Sequence, residues 1–508
     1  MIVTSTVVIP GPVVMSAPPS RRSSRVMIAV LGVAGGVLVA LGIGVPSFWG
    51  DEAASVMSAQ RPLPSLLGEL THVDAVHGLY YVLLHFWIGV AGTSETAVRF
   101  PSAVAAGFAI AGTAALAREL FGDRVALLSG MAAIAIPELT RMAIEARSYA
   151  PGMAAAVWLT WLLVRLAHRG ETRRRMWALY AIGTGLSIVL FIYLGLMLFV
   201  HAVVILVSRP SRTVVTVWVR SVVAAVAIAL PVLLLSLAQQ RQIAFLAHRH
   251  YATPANVLVR QWFTVWPVAA IAWTLILAGA VAMLRRTAQP RTRGNALIIW
   301  AWLILPTTLL LIGNAWVHPM YNMRYVAFCV PAVAICIALS INGLTARAKS
   351  QASRRLITGA LVITLLIAAI PTFTAQRTPF AKDGGSDLRQ IATTVRQHAS
   401  AGDAVIFDES VKPRLKPRLA LDLYPGAFTG LDDIALRTRA ADHAALWDSV
   451  RPLDAITAAV VAHHTVWAVE SGHGSRRDLD VLEALGYHIT ETYRLHRTTL
   501  FELEKEPS

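Results

Sequence analysis

Residues 26–52 read VMIAVLGVAGGVLVALGIGVPSFWGDE. An apolar run of this length is enough for one helical crossing of a hydrocarbon core, which takes about 20 residues. A few residues past its end stand Asp51 and Glu52, framed by Trp49 and Gly50. Carboxylates are kept out of hydrocarbon because burying their charge is costly. An acid pair at a membrane exit therefore has two readings, chemistry at the membrane surface or an ordinary solvated loop start.

Working outward, the rest of the chain repeats the first pattern. Of its 508 residues 56% are hydrophobic and 15% charged, well below the quarter usual in soluble domains. Long apolar runs alternate with short basic loops, which marks a polytopic membrane protein. The net charge of +16 would also suit a nucleic-acid binder. Its placement in short loops between apolar runs is instead the positive-inside pattern. Cys329 and Cys336 lie in one apolar run and read as packing residues, with no disulfide framework.

Eleven spans are expected, near 26–45, 100–117, 124–138, 149–167, 177–191, 193–207, 214–237, 263–284, 296–313, 324–343 and 355–373. Residues 1–25 read as a disordered cytoplasmic tail ahead of an uncleaved signal anchor. One further apolar stretch, HGLYYVLLHFWIGVAG from His77 to Gly92, decides the sidedness. If it crossed, the clusters Arg165–Arg175, Arg285–Arg293 and Arg347–Arg355 would all lie outside. Kept along the outer surface, where its Tyr80, Tyr81, Phe86 and Trp87 prefer to sit, it leaves all three clusters in the cytoplasm. The expected protein is thus mainly α and multi-pass in a bacterial plasma membrane, with residues 26–375 as the membrane domain and residues 46–99 as its first outer loop.

From residue 376 the composition turns charged and alternating. SDLRQIATTVRQHA reads as an amphipathic helix, DAVIF and TVWAVES as buried strands, RRDLDVLEALGY as a helix and YRLHRTTLFELEK as a terminal strand pair. Residues 376–508 are therefore expected to form an extracytoplasmic α/β domain with a structural role.

Four features follow the first span in order: the Asp51-Glu52 pair; Leu79-Tyr80-Tyr81; a Ser-Glu-x-x-x-Arg-Phe-Pro-Ser string from Ser94 to Ser102; and Glu-Ala-Arg-Ser-Tyr-Ala from Glu145 to Ala150. Arg324-Tyr325 opens a later span. This ordered set resembles the GT-C superfamily of membrane glycosyltransferases, especially bacterial relatives of the protein O-mannosyltransferases and of the lipid A aminoarabinose transferases. The resemblance implies transfer of a sugar, mannose first and arabinose second, from a polyprenyl phosphate to an envelope glycan, glycolipid or protein outside the membrane, with no nucleic acid involved. It implies Asp51 as general base; Glu52, its neighbour in the candidate catalytic pair, could orient Asp51, bind an acceptor hydroxyl or cap a helix. Arg324, Arg147 and Arg99, with Tyr325, are the candidates for the donor phosphate, because guanidinium binds phosphate in a bidentate way. His77, Tyr81, Glu145, Tyr149 and Trp49 are the candidates for substrate contact. The family's Lys-Pro-Pro-Leu-Tyr-Tyr is here Val76-His77-Gly78-Leu79-Tyr80-Tyr81 with the Lys and prolines absent, and His77 is the candidate to replace their polar contact. Asp51, Glu52, His72 and Asp74 could offer metal ligands, but their spacing fits no defined site, so a divalent metal is not required. Two other readings are a transporter of lipid-linked sugars, which would carry its polar residues near the bilayer midplane, and a non-catalytic assembly protein.

Overall fold

Each expected span becomes a helix in the computed structural model of the chain, which describes residues 21–242, 249–284, 290–472 and 474–506. Residues 1–20 of the expected tail, and Arg285 and Arg286, lie outside the described residues. Residues 21–25, expected in the tail, instead open the first helix, since no Pro or Gly separates them from the apolar run.

The chain runs α1 (Arg21–Ala40), α2 (Gly50–Gln60), α3 (Leu63–Leu70), α4 (Gly78–Ala91), α5 (Glu95–Phe121), α6 (Asp123–Ile134), α7 (Pro137–Met142), α8 (Tyr149–Arg169) and α9 (Arg174–Leu190). It continues with α10 (Met197–Ser208), α11 (Arg212–Ala238), α12 (Trp266–Leu284), α13 (Pro290–Trp316), α14 (Val330–Thr345) and α15 (Gln351–Ala375). Short 3-10 turns, Ile192–Leu196 and Met323–Cys329, lead into α10 and α14. Among the described residues seven helices are long and apolar enough to cross a membrane. Of the remaining expected spans, α6, α9, α10 and α12 are outside that set and pack in the same bundle. Helices α11 and α15 each keep only 17% of their apolar window buried, so side chains such as Leu234 and Ile367 face outward, as lipid allows and water does not. Segment Met323–Thr345, 83% buried, is the centre of the bundle.

Hydrogen bonds at the two ends fix the direction of successive helices. At one end Arg377 donates to the Leu41 carbonyl (2.6 Å), Gln376 to the Pro137 carbonyl (3.0 Å), and the Ala75 amide to Gln239 (3.0 Å). At the other, Asn295 donates to the Leu120 carbonyl (2.8 Å) and Arg124 to Thr358 (2.8 Å). Helix α4 has both ends at the first of these faces: Tyr81 meets Arg147 there, and the Trp87 indole donates to the Ala97 carbonyl (2.7 Å). Its 14 residues lie along that face, and its Phe86 and Val90 point outward.

Beyond α15, α16 (Leu388–His398) leads to β1 (Ala404–Phe407), α17 (Leu419–Leu423), β2 (Asp432–Asp433), β3 (Leu436–Thr438), β4 (Ser449–Val450), α18 (Thr457–Val461), β5 (Thr465–Ser471), α19 (Arg477–Ala484), β6 (Tyr487–Arg494) and β7 (Thr498–Lys505). The main sheet has the order β2-β1-β5-β7-β6, parallel through β5 and antiparallel after it. One sheet face, with Val405, Phe407, Trp467 and Val469, shares a hydrophobic core with Phe48, Val56, Leu66 and Tyr81 of the first loop. The other, with Ile406, Val466 and Ala468, packs on α18 and α19. The α/β domain is therefore fused to the loop that carries the acid pair rather than tethered beside it.

Candidate active site

Asp51 and Glu52 occupy the first turn of α2, where the helix dipole favours carboxylates. Neighbours on a helix are turned by about 100°, so the two side chains diverge. Asp51 points to the mouth of the bundle and accepts a hydrogen bond from Arg324 Nη1 at 3.0 Å. Both groups keep some exposure, 24% and 20%. Burial pushes the Asp51 carboxyl up, but Arg324, Arg147 and Arg414 outweigh it and hold it below the usual carboxylate range.

Glu52 points the other way, into a fully buried cage. Arg99 grips it through Nε (2.8 Å) and Nη2 (2.6 Å), and the Ala146 amide donates to it at 3.1 Å. Arg99 spends its remaining N–H groups on the carbonyls of Ile43, Pro46 and Ser47. All five of its donors are thus committed. Two expectations are corrected here. Arg99 has no donor left for a phosphate, and Glu52 has no open oxygen for a substrate. The pair instead fastens the end of the first span to α2, and α2 to the loop before α8. That loop is clamped twice, since Ser55 also donates to the Ala146 carbonyl at 2.9 Å.

The clamp sets Arg147, whose Nη1 donates to the Tyr81 hydroxyl at 2.9 Å, and Tyr81 in turn donates to Asp74 at 2.8 Å. Asp74 sits at φ +56, a left-handed conformation. The Arg324 guanidinium lies 5.0 Å from the Trp49 ring and 5.9 Å from the Tyr149 ring, and Tyr325 stacks on Tyr193 at 4.5 Å. The His77 ring is 5.9 Å from that of Tyr81, and Glu145 Oε2 is 4.0 Å from Arg324. The structure thus gathers Asp51, Arg324, Arg147, Tyr325, Tyr81, His77, Glu145, Tyr149 and Trp49 from four separate stretches of chain. Trp49 Nε1, His77 Nδ1, Glu145 Oε2, Arg147 Nε and Ser148 Oγ are buried there without a hydrogen-bond partner among the described residues. Buried polar atoms are nearly always paired, so such a concentration is a mark of a binding site.

Three further contributors lie outside the residues expected at the site. Arg141 bridges Glu138 (2.7 Å) and Glu145 (3.1 Å). Lys382 lies 3.7 Å from Glu52, and burial first lowers its ammonium, to about 8. Arg414, paired with Asp383, comes from the loop after β1 and faces Asp51. That approach needs Gly50, since a Cβ there would stand 2.3 Å from the Arg414 carbonyl oxygen. The four acids and histidines weighed as metal ligands are held apart: Glu52 by Arg99, Asp74 by Tyr81, His72 by Thr71 and Asp51 by Arg324. Among the described residues no group of three or more His, Cys, Asp or Glu side chains is placed to hold a metal ion.

Comparison with known proteins agrees with this architecture. Residues 79–235 match the family model described as dolichyl-phosphate-mannose-protein mannosyltransferase. The structure is similar to ArnT from Cupriavidus metallidurans bound to undecaprenyl phosphate, with a TM-score of 0.59 at 14% identity over 93% of this chain and 97% of that one. It is similar to the same protein in the apo state, with a TM-score of 0.57 at 14% identity and the same coverage. The oligosaccharyltransferase AglB from Archaeoglobus fulgidus matches at a TM-score of 0.47 and 12% identity, over 94% of this chain and 74% of that one. No curated protein matches the chain in sequence. The helical bundle and the fused α/β domain thus share the fold of ArnT, and within that bundle residues 79–235 resemble the mannosyltransferase family.

Proposed function

We propose that this protein transfers a sugar from a polyprenyl-phosphate donor to a hydroxyl of an envelope glycan, glycolipid or protein on the outer side of the membrane. The observation that carries the reading is the Asp51–Arg324 pair at the mouth, beside an Arg147 whose Nε has no partner among the described residues. Mannose is the first donor sugar, in line with the name of the matched family, and arabinose the second. ArnT, whose fold the chain shares, binds undecaprenyl phosphate, which supports a lipid-phosphate leaving group here.

In the proposed step the acceptor oxygen forms its bond to the anomeric carbon as its proton passes to Asp51. The bond from that carbon to the phosphate oxygen breaks in line, and the electron pair leaves on the phosphate. Arg324 and Arg147 meet the charge of the phosphate. The leaving phosphate is stable as an anion and needs no general acid, so one carboxylate suffices where glycoside hydrolysis normally uses two. The displacement inverts the anomeric centre. Arg324 links the two halves of the reaction. A phosphate engaging it draws on the guanidinium that now holds Asp51, which raises the basicity of that carboxylate as the donor arrives. The test supplies radiolabelled polyprenyl-phosphate mannose, and separately arabinose, to membranes with and without the protein. Label should enter envelope material with inverted configuration. No incorporation from either donor, or retained configuration, would overturn the proposal.

A further inference from the structure

The outer domain holds a cavity of about 360 Å³ at the carboxyl ends of its parallel strands β1 and β5. In open α/β sheets this edge is where ligands bind. Asp408, Asp478, Arg451 and Arg477 line it over an apolar floor that includes Ile406 and Leu453. Asp408 is buried and fixed by the amides of Ser410 (2.8 Å) and Ser471 (3.3 Å).

Glu470 is the second and independent sign. It is 6% exposed, and neither of its oxygens has a hydrogen-bond partner among the described residues. Alternation along β5 puts it on the face of Val466 and Ala468, whose core includes Ile406 and Leu453 of the cavity floor. Its charged neighbours, Asp478 and Asp408, line the cavity. Burial, then those two acids, raise its carboxyl to about 8.

We propose that this cavity binds a neutral sugar residue of the acceptor glycan. Carboxylates accept from neighbouring hydroxyls, two arginines donate, and the apolar floor takes the C–H face of a sugar ring. The acids outnumber the arginines, which disfavours an anion. The site is also near the reacting carboxylate. From Ser410 at the cavity to Arg414 beside Asp51 is four residues, at most about 14 Å of extended chain. The acceptor role rests on the transferase reading, while the binding itself does not.

The test uses the full chain in detergent and titrates α-1,6-mannotetraose by calorimetry. Wild-type and Asp51→Asn protein should bind with the same Kd, and Asp478→Asn should bind at least tenfold more weakly. Arg477→Ala, whose side chain is 68% exposed and whose loss leaves the core intact, should weaken binding at least threefold. No binding by the wild type, equal Kd values in both cavity variants, or loss of binding in Asp51→Asn would overturn the proposal. If binding follows the cavity variants while sugar transfer is never seen, the transferase reading falls and the cavity assignment stands.

Discussion

At the scale of the residue, adjacent carboxylates carry opposite duties because a helix turns them apart. Glu52 has lost all contact with solvent, and its stability rests on Arg99, the Ala146 amide and the nearby Lys382. Removing one partner of such a buried pair costs ~3–5 kcal/mol, because the other charge stays buried alone. Glu52→Gln should therefore lower the thermal midpoint in detergent by several degrees, and an unchanged midpoint would show that the cage is not structural. The pH dependence has a definite sign. Burial raises the Glu52 carboxyl, but Arg99 and Lys382 outweigh it and depress the folded-state pKa. The stabilisation is full above the unfolded value of about 4.3 and is lost as pH falls through the depressed one. Glu52→Gln should accordingly narrow the loss of midpoint as pH falls from about 5 to about 3. Asp51, Arg147, Arg324, Tyr81 and Tyr149, which the fold gathers at one mouth, stood out in the sequence because ionisable and aromatic groups at the ends of apolar runs have few structural reasons to be there. Arg99 looked alike in the sequence, since a linear string does not show that all its donors are spent on Glu52 and three carbonyls. Lys382 and Arg414 were not legible at all. They come from more than 300 residues beyond Asp51, and only the fold brings them back.

At the scale of the element, small residues decide how close the helices come. A Cβ on Gly107 of α5 would lie 2.8 Å from the Gly32 carbonyl oxygen of α1, and one on Gly36 would lie 3.3 Å from the Gly107 Cα. This contact seats the first span, and so the start of α2, against the bundle. Gly107→Val overpacks it at about 1–3 kcal/mol. The expected result is a lower thermal midpoint with unchanged affinity for the donor; a midpoint equal to wild type would contradict the close packing. Element types were legible wherever the hydrophobic period was long or strict. TVWAVES is β5 residue for residue, and Ser386–Ala399 contains α16. Boundaries were less so: β6 begins at Tyr487, ahead of the expected strand pair, because its pairing partner β7 rather than its own pattern extends it. Helix α4 shows the value of charge over hydropathy. Its apolar composition alone would have it cross, and the arginine clusters further along excluded that.

At the scale of the whole molecule, alternating helix directions put the acid pair, the loop before α8, Arg324 and the α/β domain at one face. The basic loops, with Arg173 82% exposed, belong to the opposite one. Cys329 and Cys336 are both buried, so a cysteine introduced at position 173 reports alone. In intact cells it should resist a membrane-impermeant thiol reagent and react after permeabilisation; labelling in intact cells would reverse the topology. The central claim is that the outward mouth performs sugar transfer with Asp51 as its base. Its most direct test is the rate of transfer from polyprenyl-phosphate mannose, or the arabinose donor if that is the active one, by purified wild-type and Asp51→Asn protein of equal thermal stability. The account predicts a fall of about 10²–10⁴-fold in kcat with donor binding retained. Equal rates in the two proteins would contradict it.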